Sequence, residues 1–248
     1  MVSALAALAL VLTPALRAEQ ATQTSLPTAR EVIDKYMKAT GGTVAFKSVN
    51  SMRARGTFTI TGQSMSGSLE MMAARPNKLL TRITVTGIGP LEEGYDGKIG
   101  WSIDPFNGPA LTTGKGLSER ADEAWFDGPL HGPDYVKEMT VVGREEFDGR
   151  QVYRMKVISM RGTEQIEFFE VGSGLQAGIE ATRDTPMGTI PTTTMFRDFQ
   201  RFGPLTFPSK VVQRLLGQEQ TVLFSAYEYD NVPPATFELP TVIKALIK

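Results

Sequence analysis

The sequence predicts a mainly β protein with few α-helices: a half-open antiparallel β-barrel of about 11 strands, covered by an N-terminal helix and by a second helix that is lid or plug. Three observations predict it. An aromatic residue, a Gly-containing turn and a β-forming run recur together at Tyr95-Asp96-Gly97, Phe147-Asp148-Gly149 and Phe169-Glu170-Val171-Gly172-Ser173-Gly174; Asp-Gly supplies the positive φ angles of a tight hairpin. From Met52 onward apolar and polar residues alternate, the period of a half-buried strand. One amphipathic helix precedes them, too little to cover a flat sheet of that length, so the sheet must curl or stack on itself.

The elements follow in order. An apolar run from Ala4 to Leu12, then Pro14 and the exit Leu16-Arg17-Ala18, has the layout of an export signal cleaved after Ala18. Residues 1–18 are therefore expected to be a signal peptide and 19–248 a single domain, placed in the periplasm. Ala29, Val32, Ile33, Tyr36 and Met37 fall at helical spacing between Pro27, suited to a first turn, and the terminator Gly41-Gly42. Strands are expected around Thr57-Phe58-Thr59-Ile60, then where Met65, Leu69 and Met71 oppose Ser66, Ser68 and Glu70, then where Leu79, Ile83 and Val85 oppose Arg82 and Thr84. Further strands are expected over 98–103, 139–142, 151–160, 164–171, 178–182, 192–199, 208–216 and 221–229. The main interruption runs from Pro105 to Pro133 and predicts a helix over 118–126, capped by Ser118, with Asp122-Glu123 looking outward. An insertion of that size between strands is a lid or a plug.

Composition removes several classes of function. The chain has no cysteine, so disulfides, thiolate catalysis and cysteine zinc sites are excluded. With 26 Lys plus Arg against 27 Asp plus Glu, and a formal charge that moves from -1 to -2 once Arg17 leaves with the signal, nothing pulls it toward nucleic acid. The single histidine, His131, has no Gly-x-Ser-x-Gly elbow to serve and is expected to be an ordinary loop residue. Glu92-Glu93, Asp122-Glu123 and Glu145-Glu146 are adjacent pairs, which on a strand point to opposite faces and cannot converge. Asp96, Asp104 and Asp134 form no calcium loop. No catalytic residue, metal or cofactor is predicted.

What remains is the apolar face. Met occurs 11 times, often on the strands, and its flexible thioether can line an adaptable surface as well as fill a core. A curled sheet of this length encloses more space than one helix fills.

The order of these pieces resembles the outer-membrane lipoprotein-sorting carriers of the LolA-like superfamily. The resemblance rests on the N-terminal helix followed by Tyr95-Asp96-Gly97-Lys98-Ile99-Gly100-Trp101, on Phe147-Asp148-Gly149-Arg150-Gln151-Val152-Tyr153, on Phe168-Phe169 with Gly174-Leu175, on Gly203-Pro204-Leu205-Thr206-Phe207-Pro208 and on Phe237-Glu238-Leu239-Pro240. It implies a half-open barrel whose apolar cavity accepts lipoprotein acyl chains or other lipids. It also implies a gating arginine on an early strand, for which Arg53, Arg55 and Arg82 are the candidates. The expected function is a periplasmic, non-enzymatic carrier or binder of lipid-like ligands, with an envelope membrane protein as a further partner. The alternative is a structural or accessory subunit of an envelope complex, its barrel filled by its own side chains. The residues expected to line the cavity are Phe58, Ile60, Met65, Leu69, Met71, Leu79, Ile83, Trp101, Ile103, Tyr153, Met155 and Phe168, with Met71, Trp101 and Met155 foremost.

Overall fold

The computed structural model describes residues 25–63, 65–185 and 188–247, so the expected signal 1–18 lies outside the described residues. Helix α1 (Ala29–Ala39) opens with a capping box: the Thr28 hydroxyl accepts from the Glu31 amide, and the Glu31 carboxylate accepts from the Thr28 amide. Pro27 therefore stands before the cap and not in the first turn. The apolar stripe Val32, Ile33, Tyr36 and Met37 is buried. Gly41, at φ 118°, ends the helix where the Pro204 carbonyl passes so close that a Cβ would meet it at 2.6 Å. A short α2 (Thr43–Lys47) leads into the sheet.

Thirteen strands follow: β1 (Ser51–Ile60), β2 (Met65–Ala74), β3 (Lys78–Val85), β4 (Gly89–Tyr95), β5 (Gly100–Asp104), β6 (Gly108–Thr112), β7 (Val136–Phe147), β8 (Arg150–Ser159), β9 (Glu164–Glu170), β10 (Gln176–Thr185), β11 (Gly188–Phe202), β12 (Leu205–Leu215) and β13 (Gln218–Tyr229). They make one antiparallel sheet in the order β6-β5-β4-β3-β2-β1-β13-β12-β11-β10-β9-β8-β7. Two meanders are thus joined by the β1–β13 pair. The strands that sequence alone misses are β4, rich in Gly, Pro and Glu, and β6, with Pro109. Both are poor strand formers held by their neighbours' ladders, and Pro is tolerated on the edge strand β6. At the second hairpin Asp148 and Gly149 take φ 51° and 74°, as a type I′ turn requires.

The two edges of the sheet, β6 and β7, are consecutive in the chain, so the segment between them must cross the gap. It carries α3 (Gly114–Glu123) and a 3₁₀ turn at Gly128–Leu130. Helix α3 contacts both β5 and β10. In a flat sheet these strands would lie roughly 38 Å apart at ordinary strand spacing, far more than one short helix spans, so the sheet is curled and the barrel is half-open.

The helix differs from expectation. It begins after Thr113, leaving Ser118 inside it, because Leu117 and Ala121 pack against Leu79 and Tyr95 and extend it by a turn. Asp122 does not look outward: it is buried, accepting from the Ser159 hydroxyl at 2.7 Å and from Arg161 at 2.9 Å. α3 also reaches the first meander through Arg120–Glu93 and the second through Glu123–Arg183.

Strand alternation sorts the side chains onto two faces. The inner face takes α1 in a core that includes Phe46, Phe126, Met155, Val157, Phe169 and Leu205. The outer face of the first meander is covered by the C-terminal segment, where Val232, Phe237 of the 3₁₀ turn Pro234–Phe237 and Ile243 of α4 (Thr241–Lys244) pack on Met72, Leu80 and Trp101. The outer face of the second carries Val152, Phe168 and Ala177, with Phe147 stacked on Phe168 at 4.0 Å. Among the described residues no helix is long and apolar enough to cross a membrane.

Candidate functional site

Register assigns each predicted lining residue to a face. Phe58 and Ile60 pair with Gly67 and Met65, Leu69 pairs with Ile83, and Leu79 with Ala73, so Phe58, Ile60, Met65, Leu69, Met71, Leu79 and Ile83 share the inner face. Tyr153 and Met155 share it too, but lie beneath α1, and Met155 is wholly enclosed. Trp101, Ile103 and Phe168 are on the opposite face. Trp101 lies over Gly94, where a Cβ would come within 2.5 Å of the indole, and it is sealed with Ile103 under the C-terminal segment. Phe168 directly precedes inward-facing Phe169 and so must point away. An apolar residue on a strand can face either side of a sheet, and here both sides are covered.

The three candidate gating arginines also face outward, by the same alternation. Arg53 and Arg55 pair with Glu70, Arg55 with Glu228 as well, and Arg82 with Glu92. Of the first meander's arginines it is Arg75, after β2, that touches the crossing segment. It donates to the carbonyls of Val49 and Phe46, pairs with Asp127 and stacks over Phe126 at 4.7 Å.

Among the described residues, two chambers lie inside the curl. The apolar one, about 310 Å³, is walled by Phe196, Phe199, Phe207, Val211, Val222, Phe224 and Tyr227 from β11–β13, with Met52 and Met71 from the first meander. Of the twelve predicted residues only Met71 lines it. The wall missed by sequence is built by two irregularities, a left-handed residue at Asp198 (φ 54°), where the ladder to β12 is interrupted without a change of register, and a register shift opposite Arg55/Gly56. These put Phe196 with Phe199, and Phe224 with Tyr227, on one face although their spacing is odd. Tyr227 stacks on Phe207 at 4.9 Å and touches Phe224 at 5.3 Å.

The second chamber, about 380 Å³, lies under α3 and the 128–131 turn and faces β9–β12. Tyr36, Gln176 and Phe196 line both chambers. Its floor holds the least expected feature, His131 at φ 47° and 6% exposed against Glu167 at 1%. His131 Nδ1 is 3.0 Å from the Pro129 carbonyl, which only accepts, so Nδ1 carries a proton. Nε2 is 3.0 and 2.9 Å from the two Glu167 oxygens, which also accept from Gln165 and Gln176. Burial opposes the imidazolium, but the charge of Glu167 and its hydrogen bond outweigh it and raise the His131 pKa. Burial and then the same carboxylate push the Tyr36 hydroxyl up. Both ring nitrogens of His131 are therefore engaged, and the residue acts as a structural bolt between the crossing segment and β9 and not as a loop histidine. No group of three or more His, Asp and Glu suited to a metal ion occurs among the described residues.

No family model matches the sequence, and no curated protein matches it. Solved structures do. A DUF1329 family protein from Desulfovibrio piger aligns with a TM-score of 0.58 at 12% identity, covering 84% of this chain and 96% of that one. A LolA superfamily protein from Nitrosomonas europaea aligns at 0.57 and 12% identity, over 86% and 99%. A domain described for outer membrane lipoprotein sorting, from Vibrio parahaemolyticus, aligns at 0.55 and 12% identity, over 84% and 95%. At such identities the likeness is one of fold.

Proposed function

We propose that this chain, whose fold is LolA-like, is an exported, non-enzymatic carrier or binder of lipid-like ligands in the periplasm, and that the acyl part of the ligand occupies the chamber between β11–β13 and Met71. The observation that carries the reading is the wall of that chamber, aromatic and aliphatic side chains around about 310 Å³ within the curl. This is the lower end of the range for small-molecule sites. Each methylene moved from water into such a wall contributes about 0.8 kcal/mol. A barrel filled by its own side chains, as an accessory subunit would have, accounts less well for that space.

Native mass spectrometry of protein taken from envelope extracts is expected to show a lipid adduct, and an apolar fluorophore such as N-phenyl-1-naphthylamine is expected to bind and be displaced by fatty acyl compounds. Replacing Phe224 by Asp should abolish fluorophore binding. Absence of both adduct and fluorophore binding in the wild type would overturn the reading.

A further inference from the structure

The two chambers are one strip of sheet that changes character. Along the inner face of β11 the side chains run Thr192, Thr194, Phe196, Phe199; on β12, Gln213 lies opposite Thr194 and Val211 opposite Phe196. Within one inward-facing step the wall passes from hydroxyl and amide to aromatic and aliphatic, about 7 Å along the strand. A ligand lying along this strip meets first hydrogen-bonding groups and then hydrocarbon. It is an amphiphile.

The charges of the polar chamber decide what kind of head it has. Each carboxylate that lines it already has a cation: Glu119 has Lys115, Asp122 has Arg161, Glu123 has Arg120 and Arg183, and Glu167 has His131. Among the described lining residues no cation is left for a phosphate or carboxylate, and no anion for an amine. An ionised head brought into this chamber would lose hydration without a partner, which is costly. The described lining side chains that make no hydrogen bond to another described residue are neutral, among them the hydroxyls of Tyr36, Tyr135, Thr163 and Thr194, the indole of Trp125 and the amide of Gln213. Together they offer both donors and acceptors.

We propose that the polar chamber is a head-group subsite for an uncharged, hydroxyl-bearing amphiphile, with Thr194 and Gln213 reading the head while Phe196 and its neighbours hold the chain. This rests on the lipid-carrier reading and narrows its ligand to one class.

The test is displacement of N-phenyl-1-naphthylamine by three dodecyl compounds that differ only in the head: monolaurin, laurate and dodecylammonium. Monolaurin is expected to displace the fluorophore at about tenfold lower concentration than either ion, the size of one to two neutral hydrogen bonds plus the avoided charge burial. The double variant Thr194→Val/Gln213→Leu should erase that preference while keeping fluorophore affinity within about twofold. Should it fold poorly by circular dichroism, Tyr135→Phe is expected to weaken monolaurin alone. Equal displacement by all three, preference for an ion, or a preference untouched in the variants overturns the head-group assignment and leaves the carrier reading standing. Failure of the fluorophore itself to bind removes both.

Discussion

The apolar chamber is walled by three consecutive strands, whereas the polar chamber is walled by parts that no hairpin joins: α3 and the 128–131 turn on one side, β9–β12 on the other. In the first wall the backbone is already fixed by the β11–β12 and β12–β13 ladders, so its side chains are free to be large, apolar and partly unpacked. In the second, no ladder ties the crossing segment to the sheet, and side-chain pairs do so instead: Asp122 with Ser159 and Arg161, Glu123 with Arg183, and the buried His131 with Glu167. The difference teaches where each kind of damage should fall. Loss of a polar-wall pair should unseat the crossing segment, and loss of an apolar-wall ring should chiefly enlarge a space that already exists.

The largest expected effect comes from the buried pair. His131→Leu leaves the Glu167 carboxylate enclosed without its cation, a change that costs about 3–5 kcal/mol at such sites. Removing both charges in His131→Leu/Glu167→Leu should restore most of that loss, since a buried pair replaced by apolar groups of similar size is often close to neutral. Urea unfolding of the two variants measures this directly. A single variant within about 1 kcal/mol of wild type, or a double variant no better than the single, would mean that the pair is not what holds the segment.

How much of this was legible beforehand depends on which physical rule governs each residue. Hairpins announce themselves locally, through Asp148-Gly149 and through Asp96, whose carboxylate accepts from the amides of Lys98 and Ile99 at 2.8 Å, so the curled antiparallel sheet follows from the sequence. Alternation groups residues of one strand but does not say which face is inward. It grouped Phe58, Ile60, Met65, Leu69 and Met71 correctly and still left Trp101, Ile103 and Phe168 assigned to the wrong side. The aromatic wall of the apolar chamber was hidden by the left-handed Asp198 and the bulge at Ser225, which break the period of two where the chamber is built. A usable signal was present in the density of rings, with Phe196, Phe199, Phe202, Phe207, Phe224, Tyr227 and Tyr229 in one short stretch. The His131–Glu167 pair spans 36 residues and has no local signature at all.

A smaller effect sharpens the other side of the comparison. Met155 is fully enclosed beneath α1, so Met155→Ala should cost about 2–5 kcal/mol through lost burial and a new cavity. Phe224→Ala removes more atoms, yet one side of the ring faces the apolar chamber and forms fewer contacts to lose, so about 1 kcal/mol is expected. Urea midpoints at constant slope decide between them. If Phe224→Ala proves the more damaging, the chamber is in effect a packed core.

The smallest effect is in pH. The His131 pKa is raised by folding, so the stability it contributes is fully present below its unfolded value of about 6.5 and is lost as pH rises through the higher folded value. Asp148 runs the other way: hydrogen bonding and charge from Arg197, joined by Arg150, hold its carboxyl below the usual range, so its contribution is present above about pH 4 and is lost as pH falls through the lower folded value. Wild-type stability should therefore be greatest between these limits and decline on the alkaline side. Because His131 is the chain's single histidine, the alkaline decline beginning just above pH 6.5 should be absent from His131→Gln, whose profile should stay flat through neutrality. Urea midpoints collected across that range are the measurement. Parallel profiles for the two proteins would place the titrating group elsewhere and leave the bolt between the crossing segment and β9 without its charge.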